Sequence, residues 1–191
     1  MTLADQVLKI CVKLHMTIGE EIPVFGKWFR ICFIENNGAA YGMSIGGDTG
    51  KLFLTVIRLI AIIILLWFIH KLRKSKETPT GVILGFLAIT VGALGNVLDS
   101  MLYGLIFSES TTSTISQLVA IGQGYAPMMH GKVVDMLYFP IIDIPHMPDW
   151  VPIWGGERYI FFAPVFNLAD SYITTAVIYL LIFQYKFLSK K

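Results

Sequence analysis

Residues 52–72 read LFLTVIRLIAIIILLWFIHKL, an apolar run that Arg58 interrupts near its start and that ends on Lys71-Leu72. A helix needs about 20 such residues to cross a hydrocarbon core ~30 Å thick. The whole chain agrees with this run, since 55% of its 191 residues are hydrophobic, 15% are charged and its mean hydropathy is +0.66. This composition excludes an ordinary soluble domain. The sequence therefore predicts a single integral membrane domain over residues 1–191.

Three further segments complete a predicted four-transmembrane-helix bundle, which we assign to the all-α membrane class. Residues 81–107 and 159–187 are apolar and long enough to cross a bilayer. Residues 1–18 are a weaker candidate, because Asp5 and Lys9 interrupt their apolar pattern. We interpret this segment as a partial first span. The alternative is an amphipathic helix that lies in the membrane interface.

The distribution of basic residues predicts how the spans are oriented. Residues 71–76 contain three lysines and one arginine, and the chain ends on two further lysines. By the positive-inside rule both segments are cytoplasmic, which places residues 19–51 and 108–158 outside. The first outer region is rich in aromatic and β-branched residues. It therefore predicts short strands that form a small β-rich cradle on the extracytoplasmic face.

Two carboxylates lie in the apolar runs, and each follows an asparagine by three positions. Asn96 precedes Asp99, and Asn167 precedes Asp170. Residues at i and i+3 share a helix face, so each helix presents an amide one turn from a carboxylate. Asp135 is a third candidate, because its apolar flanks in the second outer region could carry it to the same depth.

Such carboxylates are suited to acid–base chemistry. Two acids that face each other in a low-dielectric site tend to share one proton. One can then act as a base on water while the other donates a hydrogen bond to a carbonyl oxygen, as peptide hydrolysis requires. Position alone would pair Asp99 with Asp170, because both follow an asparagine on an apolar helix, and leaves Asp135 as the third candidate. The residues also leave open that these side chains only cross-link helices.

Other functions have weaker support in the sequence. The four histidines have no metal-ligand spacing, and the chain has neither a glycine-rich phosphate loop nor a basic surface for nucleic acid. A proton-coupled small transporter is the main alternative, but it predicts acids near the bilayer midplane and repeated halves. A non-enzymatic membrane scaffold is the second alternative.

Several motifs occur together in one order along the chain. They are DQVLK at residues 5–9, NNGAAYGM at 36–43, GALGNVLDS at 92–100, GKVVDML at 131–137 and FNLADS at 166–171. In this set and order the chain resembles the lipoprotein signal peptidases, or type II signal peptidases, of bacterial inner membranes. Each motif alone is weak, but the set covers most of the chain and is specific.

The resemblance implies a membrane aspartyl endopeptidase that removes the signal peptide of a diacylglyceryl-modified prolipoprotein just before the lipidated cysteine. It implies no metal and no organic cofactor. The implied partners are the lipidated substrate and membrane lipid, and we expect a monomer. The implied location is the bacterial inner membrane, with several spans and an active site at the extracytoplasmic face.

The resemblance also implies roles for individual residues. The catalytic pair would be Asp135 and Asp170, which makes Asp99 a supporting acid. The residues implied to bind or orient the substrate and the pair are Asp5, Lys9, Asn36, Gly38, Asn96, Asp99 and Asn167.

The chain departs from the family pattern in three places. Ser100 follows Asp99 where the family commonly has an arginine, which puts any contact of that arginine in doubt. The connection at 105–130 is longer than usual, and residues 141–154 look expanded. These two segments are either an outer lid or an elaboration of one bacterial lineage.

Overall fold

The computed structural model describes residues 1–37 and 47–189, and roughly half of the chain is helical. The helices are α1 (Thr2–His15), α2 (Gly47–Lys74), α3 (Thr80–Leu98), α4 (Gly104–Ile106), α5 (Leu168–Phe183) and α6 (Tyr185–Leu188), and a π-helical segment (Asp99–Tyr103) joins α3 to α4. The strands are β1 (Glu21–Phe25), β2 (Phe29–Asn36), β3 (Val133–Tyr138), β4 (Ile142–Ile144), β5 (Tyr159–Phe161) and β6 (Val165–Phe166). The all-α assignment therefore understated the β content.

Within the described residues, two helices are long and apolar enough to cross a membrane. They cover Thr49–Lys74 and Thr80–Ile106. Helix α5 is a third apolar helix but is shorter. Large apolar side chains of α2 point away from the protein, with Phe53 63% and Trp67 61% exposed. Such a surface is costly in water and favourable in lipid, so the helix is built for an apolar environment.

Helices α2 and α3 form an antiparallel hairpin with a short link at 75–79. The rings of Phe68 and Phe86 meet edge to face, with centroids 5.0 Å apart. On another face, α3 packs closely on α5 through glycines. A Cβ at Gly85 would lie 2.6 Å from Leu180, and one at Gly92 would lie 2.6 Å from the backbone oxygen of Ala169. Small residues allow this close approach between membrane helices.

Helix α1 buries its charges and exposes its apolar side chains. Asp5, Lys9 and Lys13 recur every four residues and are all fully buried, whereas Leu3 is 78% and Val7 54% exposed. An interfacial helix would turn its charges to water. The burial of the charged stripe against the protein therefore favours the partial span over the interfacial alternative.

Four strands form an antiparallel sheet in the order β1-β2-β3-β6. Strand β3, which carries Asp135, lies inside this sheet and is buried along its whole length. A hairpin of β4 with β5 stands apart from it. The strands predicted in the first outer region are thus β1 and β2, and the GKVVDML segment adds a third strand that brings Asp135 to the helices.

Helix α5 is shorter than the predicted span at 159–187. The chain before it forms β5 and β6, because Pro164 has no N–H to donate to a helix. Asn167 then ends the extended segment and caps the helix, since its side chain accepts the backbone N–H of Asp170. At the other end the helix stops at Phe183 and a short helix follows.

Candidate active site

The first part of the site is a buried ion cluster around Lys9 on α1. Its Nζ lies 3.0 Å from Asp5 Oδ2 and 2.7 Å from Asp99 Oδ2, and all three side chains are fully buried. The same Nζ donates a hydrogen bond of 2.8 Å to Asn96 Oδ1. A buried charge needs such partners, because taking it out of water costs several kcal/mol. Lys9 and the two acids therefore stabilise one another.

Asp99 also accepts hydrogen bonds from two neutral donors. Gln6 Nε2 donates to Oδ1 over 2.8 Å, and the backbone N–H of Val134 donates to Oδ2 over 3.3 Å. Asp99 opens the π-helical segment, a wider turn that is frequent at functional sites. Both of its carboxylate oxygens are thus occupied inside the protein.

Asn96 links this ion cluster to the next carboxylate. Its Oδ1 accepts from Lys9, and its Nδ2 donates to Asp170 Oδ1 over 2.8 Å. The amide is oriented by these two contacts, because a cation can only donate and a carboxylate oxygen can only accept. Asn96 of α3 therefore holds the carboxylate of Asp170, which lies in the first turn of α5.

Asn167 brings Asp170 and Asp135 together. Its Oδ1 accepts the backbone N–H of Asp170 over 2.9 Å, and its Nδ2 donates to Asp135 Oδ1 over 2.7 Å. Asn36 on β2 donates to the other oxygen of Asp135, over 3.4 Å. One asparagine at the helix start thus connects the carboxylate of β3 to the first turn of α5.

Asp135 and Asp170 differ in how deeply they are buried. Asp135 is 5% exposed, whereas Asp170 is half-buried. Burial, and then the negative charge of Asp170, raise the pKa of Asp135 to about 7, against the opposing hydrogen bonds from Asn167 and Asn36. Burial thus makes Asp135 the acid that more readily holds a proton near neutral pH.

The comparison with known proteins identifies the family of the chain. A family model described as Signal peptidase (SPase) II matches residues 1–186. The chain belongs to the signal peptidase II family. A lipoprotein signal peptidase of Porphyromonas gingivalis is 42% identical over 182 residues, which cover 95% of this chain and 78% of that protein. Another, of Amoebophilus asiaticus, is 36% identical over 177 residues, which cover 91% and 69%.

The fold is similar to that of a solved structure of a bacterial membrane enzyme. That structure was determined by the in meso method at 2.3 Å resolution. It matches with a TM-score of 0.58 and 26% identity, over 100% of this chain and 85% of the other. This signal peptidase II family member is thus a membrane protein with the fold of a membrane enzyme, as the sequence predicted.

Most of the residues predicted for the site lie in one network. Within the described residues they are Asp5, Lys9, Asn36, Asn96, Asp99, Asp135, Asn167 and Asp170. Gly38 lies outside the described residues. Ser100, the departure from the family pattern, is buried and donates to the backbone oxygen of Asn96. It therefore supports the helix rather than reaching into the site.

Sequence reasoning missed two polar residues of this region. Gln6 donates to Asp99 and accepts from the hydroxyl of Tyr103 over 3.1 Å. Arg58 on α2 was noticed only as an interruption of the apolar run, although its guanidinium interacts electrostatically with Asp170, Asp135 and Asp99. A polar residue in an apolar run was the signal that could have found Arg58.

The long connection at 105–130 packs beside the network and borders a polar cavity. The cavity has a volume of about 280 Å³. Its polar lining includes Asn37, Lys51, Glu109, Tyr125, His130 and Lys132. Lys132 lies 3.2 Å from Glu35 Oε2, and the same glutamate pairs with the buried Lys13. In the part of the chain that the structure describes, no group of three or more His, Cys, Asp or Glu side chains is placed to hold a metal ion.

Proposed function

We propose that the protein is an aspartyl endopeptidase that removes the signal peptide of a diacylglyceryl-modified prolipoprotein, and that Asp135 and Asp170 are its catalytic pair. The observation that carries this proposal is Asn167, which accepts from the backbone of Asp170 and donates to the carboxylate of Asp135. It joins one buried acid to one half-buried acid. The relatives named lipoprotein signal peptidase support the same substrate class.

The environments of the two acids support a division of roles. Asp135 is the protonated member, since burial and the charge of Asp170 raise its pKa. Asp170 is the more accessible acid, so we assign it the role of the base that a water molecule can reach. Environments that push the pKa values of two carboxyl groups apart produce an acid and a base at one pH.

The reaction then needs no group beyond the chain and water. Asp170 takes a proton from the water as its oxygen attacks the scissile carbonyl carbon, and Asp135 donates a hydrogen bond to the developing oxyanion. When the tetrahedral intermediate collapses, Asp170 returns that proton to the leaving nitrogen of the lipidated cysteine. The C–N bond breaks, which gives a signal peptide with a new carboxylate and a mature lipoprotein with a free amine.

The same proposal includes a topology. We place α1, α2, α3 and α5 across the membrane as a four-helix bundle within one domain, with the basic link at 71–76 on the cytoplasmic side. The sheet and the acids then lie at the extracytoplasmic end, since Asp99 comes 19 residues after Thr80 at the start of α3, about 28 Å along the helix. The acyl chains of the substrate would stay in lipid, and the enzyme would act as a monomer on a bond near the interface.

The transporter alternative is not favoured. It needs acids that load and release protons toward both sides of the membrane. Asp99 instead has both oxygens occupied by Lys9, Gln6 and Val134.

Cleavage of a lipidated prolipoprotein by the purified protein tests the function. The products are mapped by mass spectrometry, beside the same prolipoprotein without its diacylglyceryl group. We expect cleavage just before the lipidated cysteine and at least tenfold slower cleavage of the unlipidated substrate. Failure to cleave the lipidated substrate, or cleavage at scattered positions, contradicts the proposal.

A pair of variants tests the reaction type. Asp135→Asn and Asp170→Asn keep the size of the side chains but remove the proton exchange, so we expect each to lower kcat about 10²- to 10⁴-fold. Asp143→Asn is the matched control, because Asp143 is an aspartate of β4 that pairs with Arg158 at the surface. It should cleave like the wild type.

A further inference from the structure

Arg58 is a cation inside the apolar part of a membrane helix. It lies in Thr49–Lys74, the more apolar of the two spanning helices, and is half-buried. A charge in such a place is costly, and residues of this kind face the interior of the protein and mark functional sites. The relevant question is which groups this cation faces.

The register of the α2–α3 hairpin places Arg58 at the level of Asn96. The rings of Phe68 and Phe86 are in contact, and in an antiparallel pair each step toward the start of α2 matches one step toward the end of α3. Ten steps from this contact, about 15 Å along both helices, lead to Arg58 on one helix and Asn96 on the other. Asn96 is the residue that donates to Asp170.

The side of α2 that carries Arg58 is the side that faces the protein. Lys51, Thr55, Arg58 and Ile62 follow a spacing of three to four residues, and all except the half-buried Arg58 are buried. Thr55 donates from Oγ1 to the backbone oxygen of Met129 over 3.0 Å. The guanidinium therefore extends from a face that is already fixed to the outer part of the fold.

The charged groups of the site lie on several elements. They are Asp5 and Lys9 on α1, Asp99 after α3, Asp135 on β3 and Asp170 on α5. Among the carboxylates, Asp170 acts most strongly on the guanidinium, followed by Asp135 and Asp99. Lys9 contacts Asp5 and Asp99 directly. The field of Arg58 is therefore strongest at the acid that the proposed mechanism needs in its ionised form.

We propose that Arg58, which lies on α2 at the level of Asn96, is a positioning residue that keeps Asp170 ionised and so ready to act as the base. This inference rests on the proposed function of Asp135 and Asp170. It assigns to α2 an electrostatic role in addition to its role as a membrane span.

The proposal predicts a change in the pH dependence of cleavage. A nearby cation favours the charged form of a carboxylate, so its removal makes the base harder to ionise. The acid limb of the profile of kcat/KM against pH should move to higher pH by about one to two units. At a fixed pH on that limb, each pH unit by which the limb moves lowers kcat/KM about tenfold.

The test measures kcat and KM for lipidated prolipoprotein from about pH 4 to pH 9. Arg58→Met and Arg58→Gln remove the charge in two ways, so that one neutral variant remains if the other does not fold. Arg58→Lys keeps the charge and should restore most of the wild-type limb. Arg73→Met is the matched control, since Arg73 is an exposed arginine in the last turn of the same helix. It should leave the limb in place.

Three results would overturn the inference. A neutral Arg58 variant with the wild-type limb and a uniformly lower rate would give Arg58 a structural role only. A higher KM with an unchanged limb would give it a contact with the substrate instead. Failure of Arg58→Lys to restore the limb would show that charge is not what Arg58 supplies.

Asp170→Asn, measured in parallel, separates this inference from the proposed function. If Asp170→Asn is inactive and the neutral Arg58 variants keep the wild-type limb, only the Arg58 assignment is wrong. If Asp170→Asn cleaves like the wild type, the catalytic pair is wrong and the Arg58 assignment falls with it.

Discussion

Asp99 and Asp170 both lie beside Asn96 in the same helical layer, yet their partners differ. Asp99 is fully buried, contacts Lys9 over 2.7 Å and accepts from Gln6. Asp170 is half-buried and accepts from the amide of Asn96. A buried cation in direct contact ties an acid into an ion pair that the fold depends on, whereas an amide donor leaves the acid outside such a pair. On the proposed function, the partner, more than the residue type, distinguishes the supporting acid from the reactive one.

Asp135 belongs with Asp170 in this comparison. Its two oxygens accept from the amides of Asn167 and Asn36, and its pKa is raised by burial and by the charge of Asp170. We call Asp135 and Asp170 the amide-held pair. Asp5, Lys9 and Asp99 form the ion cluster described above. The predictions below separate these two regions by stability and by turnover.

The largest expected effect is on stability, from Lys9→Met in the ion cluster. Removal of the lysine leaves Asp5 and Asp99 buried without the cation they contact. Breaking a buried pair in this way costs about 3–5 kcal/mol. The free energy of unfolding in detergent micelles should therefore fall by that amount. Lys74→Met is the control, because Lys74 is exposed at the end of α2. A loss in Lys9→Met no larger than in this control contradicts the role of the cluster.

A second prediction concerns the pH dependence of stability in the amide-held pair. Because the pKa of Asp135 is higher in the folded protein than the ordinary value near ~3.9, the folded state binds more protons above that pH. The contribution of Asp135 to the free energy of unfolding should therefore decline as pH rises from about 4 through about 7.

Denaturant unfolding of the wild type and Asp135→Asn at several pH values measures this contribution. The difference between the two should grow in favour of the variant as the pH rises, since Asn cannot ionise. A difference that stays constant between pH 4 and pH 8 would mean that Asp135 is not protonated in the folded protein.

A third, smaller effect is expected at Asn167, which serves both the helix and the pair. Asn167→Ser keeps an oxygen that can cap α5 but loses the amide that donates to Asp135. We expect kcat to fall about 10- to 100-fold with the stability nearly unchanged. Asn167→Ala should lose the same activity and about 1 kcal/mol of stability as well. Equal activity of Asn167→Ser and the wild type would remove Asn167 from the site.

The smallest effect is expected at the surface pair of the β4–β5 hairpin. Arg158 donates to both oxygens of Asp143, which lowers the pKa of that carboxyl. The pair is exposed and apart from the candidate site, and exposed ion pairs contribute little. Arg158→Met should therefore keep kcat/KM within about twofold of the wild type. A tenfold loss would indicate that the expanded segment at 141–154 takes part in binding the substrate.

The sequence was informative where a physical signal is local. Hydropathy predicted α2 and α3 because apolar runs longer than about 18 residues have few other uses. The motifs around Asp5, Asn96 and Asn167 predicted members of one network, which the fold then brings together. The sequence was less informative for α1, where a partial span and an interfacial helix were both open. Periodicity shows that a helix face is charged but not whether that face packs inward or outward.

What the sequence could not predict depends on long-range packing. Asp135 reaches the helices because β3 pairs with β2 and β6, and no local pattern predicts that order of strands. The start of α5 was misplaced for a similar reason, since the apolar residues before Asn167 pair as strands. The level of Arg58 became clear only from the contact between Phe68 and Phe86, which fixes the register of two helices.

The most direct test compares Asp99→Asn, Asp135→Asn and Asp170→Asn, measuring single-turnover cleavage of lipidated prolipoprotein and thermal unfolding on the same samples. We predict that Asp170→Asn remains folded and loses turnover about 10²- to 10⁴-fold, whereas Asp99→Asn loses stability but keeps a rate within about tenfold of the wild type in its folded fraction. The opposite result would be a folded Asp99→Asn that does not cleave, beside an Asp135→Asn that does. That result would make Asp99 and Asp170 the catalytic pair and contradict the account.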